Sequence, residues 1–251
     1  MNEETARKTG RSKILCILSA VFIVGIIAWQ FFTGGNSNPS DGPAGGPVNP
    51  AAENGPGAAA SPRSAYADMQ VGKRFEFGSY PQGANGEVKP ITWRVLRRGG
   101  DSLLVISEYG LAAEPYNEKL EKITWETCSL RRWLNGEFMD KAFNGQERSL
   151  IMTTSLSGNA GPATEDRIFL LSEEEAESLF SDDRDRIVRP TEYAVKNGAS
   201  ADDDGNAWWW LRSRGSNATH AVLAEPDGDI SYRGNVDIGS VCVRPAFRMA
   251  L

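Results

Sequence analysis

Histidine is almost missing from this chain: one residue, His220, in 251. A zinc site built on several imidazoles is therefore excluded, and little remains for a hydrolase triad. His220, in "NATHAV", reads as an ordinary strand residue. Cysteine is scarce too, with 3 in the chain. Cys16 lies in an apolar run, so Cys128 and Cys242 are the one pair beyond it, too few for a disulfide framework. Cations are also in deficit, 27 Lys+Arg against 33 Asp+Glu. Beyond residue 32 the deficit deepens, because the first 32 residues hold four of the cations (Arg7, Lys8, Arg11, Lys13) and two of the anions (Glu3, Glu4). The remainder carries 23 against 31, a net charge of −8. That balance excludes the basic footprint of a nucleic-acid binder and suits cations or neutral ligands.

What is present begins with "ILCILSAVFIVGIIAWQFF", residues 14–32. As a helix this run spans about 28 Å, close to the roughly 30 Å hydrocarbon core of a bilayer. The four cations precede it and none stands in "TGGNSNPSDG" after it. The positive-inside bias predicts a cytoplasmic N-terminus at residues 1–13, a single-pass transmembrane helix at 14–32, and an extracytoplasmic remainder at the cell membrane. A cleaved secretory signal is the alternative, although its apolar core is usually shorter and ends at a small-x-small site, whereas this run ends in "WQFF". Residues 33–66 follow as a Gly/Pro/Ala-rich stalk: glycine and proline supply 13 of the 30 residues from 33 to 62. Such a stretch cannot bury a core and reads as a disordered linker.

From residue 67 to 251 the patterning is that of a folded domain. Phe75 and Phe77 alternate as in a strand, and "ITWRVLRRGGDSLLVIS" reads as a hairpin. Leu130, Leu134 and Phe138 fall four apart, the spacing of one helix face, with Thr124 or Thr127 as the expected cap. Ser172 and Glu175 have capping-box spacing. "PTEYAVKNG" reads as a short helix ending at Gly198. Beyond it the chain reads as strands throughout, with a turn at Asp227–Gly228 and "VCVRPAFRMAL" as one final strand. The expected class is α+β, with central helices and a closing antiparallel sheet.

The motifs "FGSYPQ", "ITWRVL", "TWETCSLRRWLNGEF", "RIFLLSEEEAE", "PTEYA", "WWWLRS" and "VRPAF" occur here in order. As a set they resemble an uncharacterised bacterial extracellular domain family of unknown function, over about residues 70–251. The closing "WWWLRS…VRPAF" pattern is also similar to C-type-lectin-like domains, a group that includes sugar-binding lectins and formylglycine-generating enzymes. That resemblance implies a C-type-lectin-like fold. This sequence departs from the family pattern in its third tryptophan, in Arg214 after "LRS", and in Cys242 before "VRPA".

In a strand, Trp208 and Trp210 share one face and Trp209 takes the other. The expectation is that Trp208 and Trp210 fill the core, while Trp209 lies in a shallow cleft with Tyr232, Arg233 and Asn235. Exposed aromatics stack on sugar rings, and arginine and asparagine satisfy sugar hydroxyls. Arg212 and Arg244 are expected to be structural, forking onto carbonyls or a carboxylate. Asp202, Asp204 and Asn206 alternate around a glycine turn, a donor pattern that suits Ca²⁺; a charged surface turn is the alternative. Cys128 and Cys242 are a disulfide candidate, with two separate buried thiols as the alternative. No convincing catalytic set emerges. The expected function is non-enzymatic binding of a glycan or protein ligand at the cell surface. The alternatives are a cysteine-dependent oxidase of the formylglycine-generating type, a carbohydrate-active enzyme, and a structural part of an envelope complex.

Overall fold

A computed structural model of the protein describes residues 65–251. The expected cytoplasmic segment and transmembrane helix, and the stalk up to residue 64, lie outside the described residues. Among the described residues, no helix is long and apolar enough to cross a membrane.

Two five-stranded sheets carry the fold. In the first, β1 (Arg74–Pro81), β2 (Val88–Arg98), β3 (Ser102–Ser107), β12 (Ala246–Ala250) and β5 (Ile151–Met152) lie side by side in that order, all antiparallel. In the second, the order is β10 (Ile230–Asn235), β9 (His220–Ala224), β8 (Trp209–Arg214), β11 (Cys242–Val243) and β4 (Ala112–Ala113), with β11 parallel to β8. A separate ribbon pairs β6 (Thr154–Leu156) with β7 (Thr164–Asp166).

Apolar alternation explains the first sheet. Phe75 and Phe77 on β1 are buried, as are Ile91, Trp93 and Val95 on β2. Trp93 meets Phe247 edge-on at 4.7 Å between centroids, and its Nε1 donates to the Phe77 carbonyl at 2.7 Å. A buried indole must find such an acceptor or carry an unpaired donor. At the strand ends, Glu108 accepts from Arg94 through both carboxylate oxygens at 2.8 Å and from Arg74 at 2.9 Å, tying β1 and β2 to the end of β3.

The longest helical run is Ser129–Ala142, made of α1 (Ser129–Trp133), a π-helical turn (Leu134–Phe138) and α2 (Met139–Ala142). Leu130, Leu134 and Phe138 are all buried, as their spacing requires. The cap is Cys128, whose Sγ accepts from the Arg131 amide, and not Thr124 or Thr127. The remaining helices have four to seven residues: α3 (Gly145–Leu150), α4 (Glu173–Leu179), α5 (Asp183–Arg186) and α6 (Glu192–Lys196). The Ser172–Glu175 capping box is formed at α4, and Gly198 takes φ 108° beyond α6.

The α+β, C-type-lectin-like expectation is therefore corrected. Strand takes 34% of the described residues and helix 20%, and the sheets curl. Helical periodicity was real but brief, because extended residues stop the runs at Phe143 and Phe180. Apart from Ser129–Ala142, itself interrupted by a π-helical turn, the helices have only four to seven residues and do not form a central layer. The second sheet is also not purely antiparallel. "VCVRPAFRMAL" is not one strand: Arg244 and Pro245 break it, so that β11 belongs to the second sheet and β12 to the first. Proline has no amide hydrogen for a ladder, which makes it a natural crossing point.

The Asp227–Gly228 turn docks on α5. The Arg186 Nε donates to the Gly228 carbonyl at 2.8 Å. Gly228 has φ 92°, and a Cβ there would lie 1.8 Å from the Asp183 carbonyl oxygen. Gly228→Ala is expected to cost at least about 2 kcal/mol and to lower the melting temperature by roughly 4–8 °C. Gly100→Ala, where a Cβ meets nothing within 4 Å, should melt like the parent.

A second prediction concerns Glu108. Burial alone would raise its carboxyl, but the hydrogen bonds from Arg94 and Arg74 outweigh this and hold it at about 2. A depressed carboxyl stabilises the fold above its unfolded value near 4.5 and loses that contribution as pH falls through about 2. Glu108→Gln should therefore cost on the order of 2 kcal/mol at pH 7 and converge with the parent near pH 2, as read by urea denaturation at both pH values.

Candidate functional site

The face of the second sheet that holds Trp210 is covered at one point and open at another. Tyr116 closes over Trp210, with ring centroids 5.8 Å apart. Gly234 on β10 also approaches it: a Cβ there would lie 2.6 Å from the Trp210 ring. Beside this, one residue before β8, Trp208 is only partly buried and borders a cleft of about 460 Å³. The opening is within the usual range for small-ligand sites, about 300–1,000 Å³.

The backbone fixes Trp208 firmly, because its carbonyl accepts from the Cys242 amide at 2.8 Å. Leu223, Ile238 and Val241 add apolar surface next to the indole. Ser231 and Arg233 come from β10, and Glu225 stands just after β9. Among the described residues, neither Arg233 nor Glu225 takes part in an ion pair. An aromatic plate beside an unpaired guanidinium, an unpaired carboxylate and serine hydroxyls can stack one face of a ring and hydrogen-bond its edge. It does not supply the two facing carboxylates of a glycosidase.

Trp209 does not belong to this cleft, contrary to expectation. It is fully buried, and its Nε1 donates to the Arg186 carbonyl at 3.0 Å. The reason is Arg244, whose guanidinium lies 5.0 Å from the Trp209 ring centroid and 5.5 Å from that of Phe180. Trp209 faces inward as one wall of that sandwich. Trp210 is also buried, donating to the Glu114 carbonyl at 3.0 Å. Trp208, expected in the core, is the tryptophan displayed.

Of the other expected ligand residues, only Arg233 lines the cleft. Tyr232 is exposed and donates its hydroxyl to Glu173 at the start of α4; that hydrogen bond raises the phenol to about 12. Asn235 is exposed at the end of β10, opposite His220. Glu225, Ser231 and Ile238 carried no signal beyond ordinary strand and turn patterning. Alternation placed Trp208 on the face of Trp210 and so pointed it to the core, not to the cleft.

Arg212 donates to the Leu170 carbonyl at 2.9 Å and pairs with Glu175. Arg244 donates to the carbonyls of Ser107 at 2.9 Å and Arg186 at 3.4 Å. Asp202 uses Oδ1 to accept from the amides of Asp204 at 3.0 Å and Asn206 at 2.8 Å, closing its own turn. Among the described residues, no group of three or more His, Cys, Asp or Glu side chains is arranged to hold a metal ion.

Cys128 and Cys242 are both free and buried, so the disulfide candidate is not formed. Burial pushes each thiol up to about 12. A thiol that seldom ionises is a poor nucleophile and a poor metal ligand. In a chain carrying Cys16→Ser, a disulfide reagent at pH 8 is expected to leave both remaining thiols unmodified in the folded protein and to label both in denaturant. Rapid labelling of either in the folded state would show an accessible thiolate.

A family model described as "Domain of unknown function (DUF6273)" matches residues 100–251, from the β2–β3 turn onward. No curated protein and no solved structure matches the chain.

Proposed function

We propose that this chain, which belongs to the DUF6273 family of unknown function, is a cell-surface binding protein that holds a glycan in the Trp208 cleft. The observation that carries this reading is the partly buried Trp208 indole bordering a cleft with Arg233 and Glu225, neither of which is ion-paired among the described residues. A sugar ring presents an apolar face of C–H groups and an equatorial rim of hydroxyls. The indole takes the face, and the guanidinium, carboxylate and serines take the rim.

The reading is non-enzymatic. Glu225 is a single carboxylate without a facing partner in the cleft, and the buried thiols are not available as nucleophiles. Placement at the surface is supported by the apolar run at residues 14–32 with cations before it and none directly after. The net charge of −8 beyond residue 32 suits a neutral or cationic glycan better than an acidic one.

Affinity electrophoresis through gels carrying immobilised polysaccharides tests the ligand. The parent chain should be retarded on at least one glycan, and Trp208→Ala should weaken that retention about tenfold or more while leaving the circular dichroism spectrum unchanged. Retention that survives Trp208→Ala, or a chain that no glycan retards, sinks the proposal.

A further inference from the structure

At the opposite edge of the second sheet, next to β4, lies a separate recess of about 210 Å³. Three aromatic side chains wall it: Tyr80 at the end of β1, Trp133 on α1 and Tyr193 on α6. The Tyr80 and Tyr193 rings stand at 88° with centroids 6.0 Å apart, so they form a corner. Glu114 and Glu137 supply carboxylates to the same recess.

The helical run explains how these groups converge. Trp133, Glu137 and Lys141 are four apart and share one stripe. Glu137 belongs to the π-helical turn, a distortion found mostly as an isolated turn and often at functional sites. Glu137 and Lys141 have the spacing at which glutamate and lysine commonly pair on a helix, yet they make no ion pair. The Lys141 ammonium lies instead over the rings, 5.1 Å from the Tyr80 centroid and 5.7 Å from the Tyr193 centroid. The aromatic corner therefore already holds a cation, drawn from the chain itself. Two carboxylates against one ammonium still leave the recess one positive charge short. Consistent with that shortage, the Glu114 carboxyl is raised, by burial first and then by Glu137 and Glu118.

We propose that this recess is a second binding site, separate from the Trp208 cleft, and that it takes a quaternary alkylammonium headgroup which displaces Lys141. Aromatic faces attract a weakly hydrated, methylated cation through their quadrupoles, and the carboxylates at the rim supply long-range attraction. Lys141 is the resident cation when no ligand is bound.

Calorimetric titration of the full chain with choline chloride at constant ionic strength tests this. The control is the uncharged alcohol in which carbon replaces the choline nitrogen. Choline should bind, and the neutral isostere should bind at least about tenfold more weakly. Lys141→Met removes the resident and should tighten choline binding several-fold. Trp133→Leu should weaken it by up to about tenfold. If Trp133→Leu lowers the melting temperature, the exposed Glu137→Gln substitution provides the same test. Equal binding of the isostere would reduce the site to a greasy pocket and overturn the proposal. So would choline affinity that is unchanged or weaker in Lys141→Met, or an absence of binding in both the parent and that variant.

Discussion

Arg244 is the constraint around which the domain is organised. Its guanidinium is fully buried and, among the described residues, has no carboxylate within ion-pair reach. Burial draws its pKa down to about 9, so it remains charged at neutral pH. Bringing such a group out of water costs several kcal/mol. Two ring faces and two carbonyls offset that cost only when all are in place. Each partner comes from a different part of the chain: Ser107 ends β3, Phe180 follows α4, Arg186 ends α5, and Trp209 begins β8. Arg244 itself stands where the chain crosses between the sheets. A fold that misplaces any one of these segments strands a charge in an apolar interior.

That constraint also decides what the surface offers. With Trp209 committed to the guanidinium, Trp208 and Trp210 must take the other face. Tyr116 and Gly234 cover Trp210, and Trp208 is left at the cleft. The aromatic available to a ligand is thus set by a charge on the far side of the same sheet. The second aromatic recess, at Tyr80, Trp133 and Tyr193, obeys a different local rule: residues four apart on one helical run facing a strand end.

What was legible in the sequence was local. The β2–β3 hairpin, the Ser172–Glu175 capping box, the α6 stop at Gly198 and the Asp227–Gly228 turn each depend on residues within a few positions of one another. The alternation of Trp208, Trp209 and Trp210 was legible in the same way. Which of the three is displayed was not, because the answer lies in Arg244 and Phe180, far along the chain. The fold class failed for a related reason. Periodicity marks where a helix can form, but its length depends on what it packs against, and here α3 to α6 stop after four to seven residues. Short strands such as Ala112–Ala113 and Ile151–Met152 have no pattern of their own and exist only because β11 and β12 pair with them.

β12 is not at the margin of its sheet. It lies between β3 and β5, pairing Phe247 with Val105 on one side and Met249 with Ile151 on the other. A ribosome makes this strand after every other strand described here. Until it emerges, β3 has an unpaired edge, β5 has no partner, and Trp93 lacks the Phe247 ring against which it rests. The first sheet therefore cannot be completed until β12 is made, whereas every strand of the second precedes it. Its closure is a long-range pairing, and until it occurs the free edge of β3 invites misassociation with neighbouring chains.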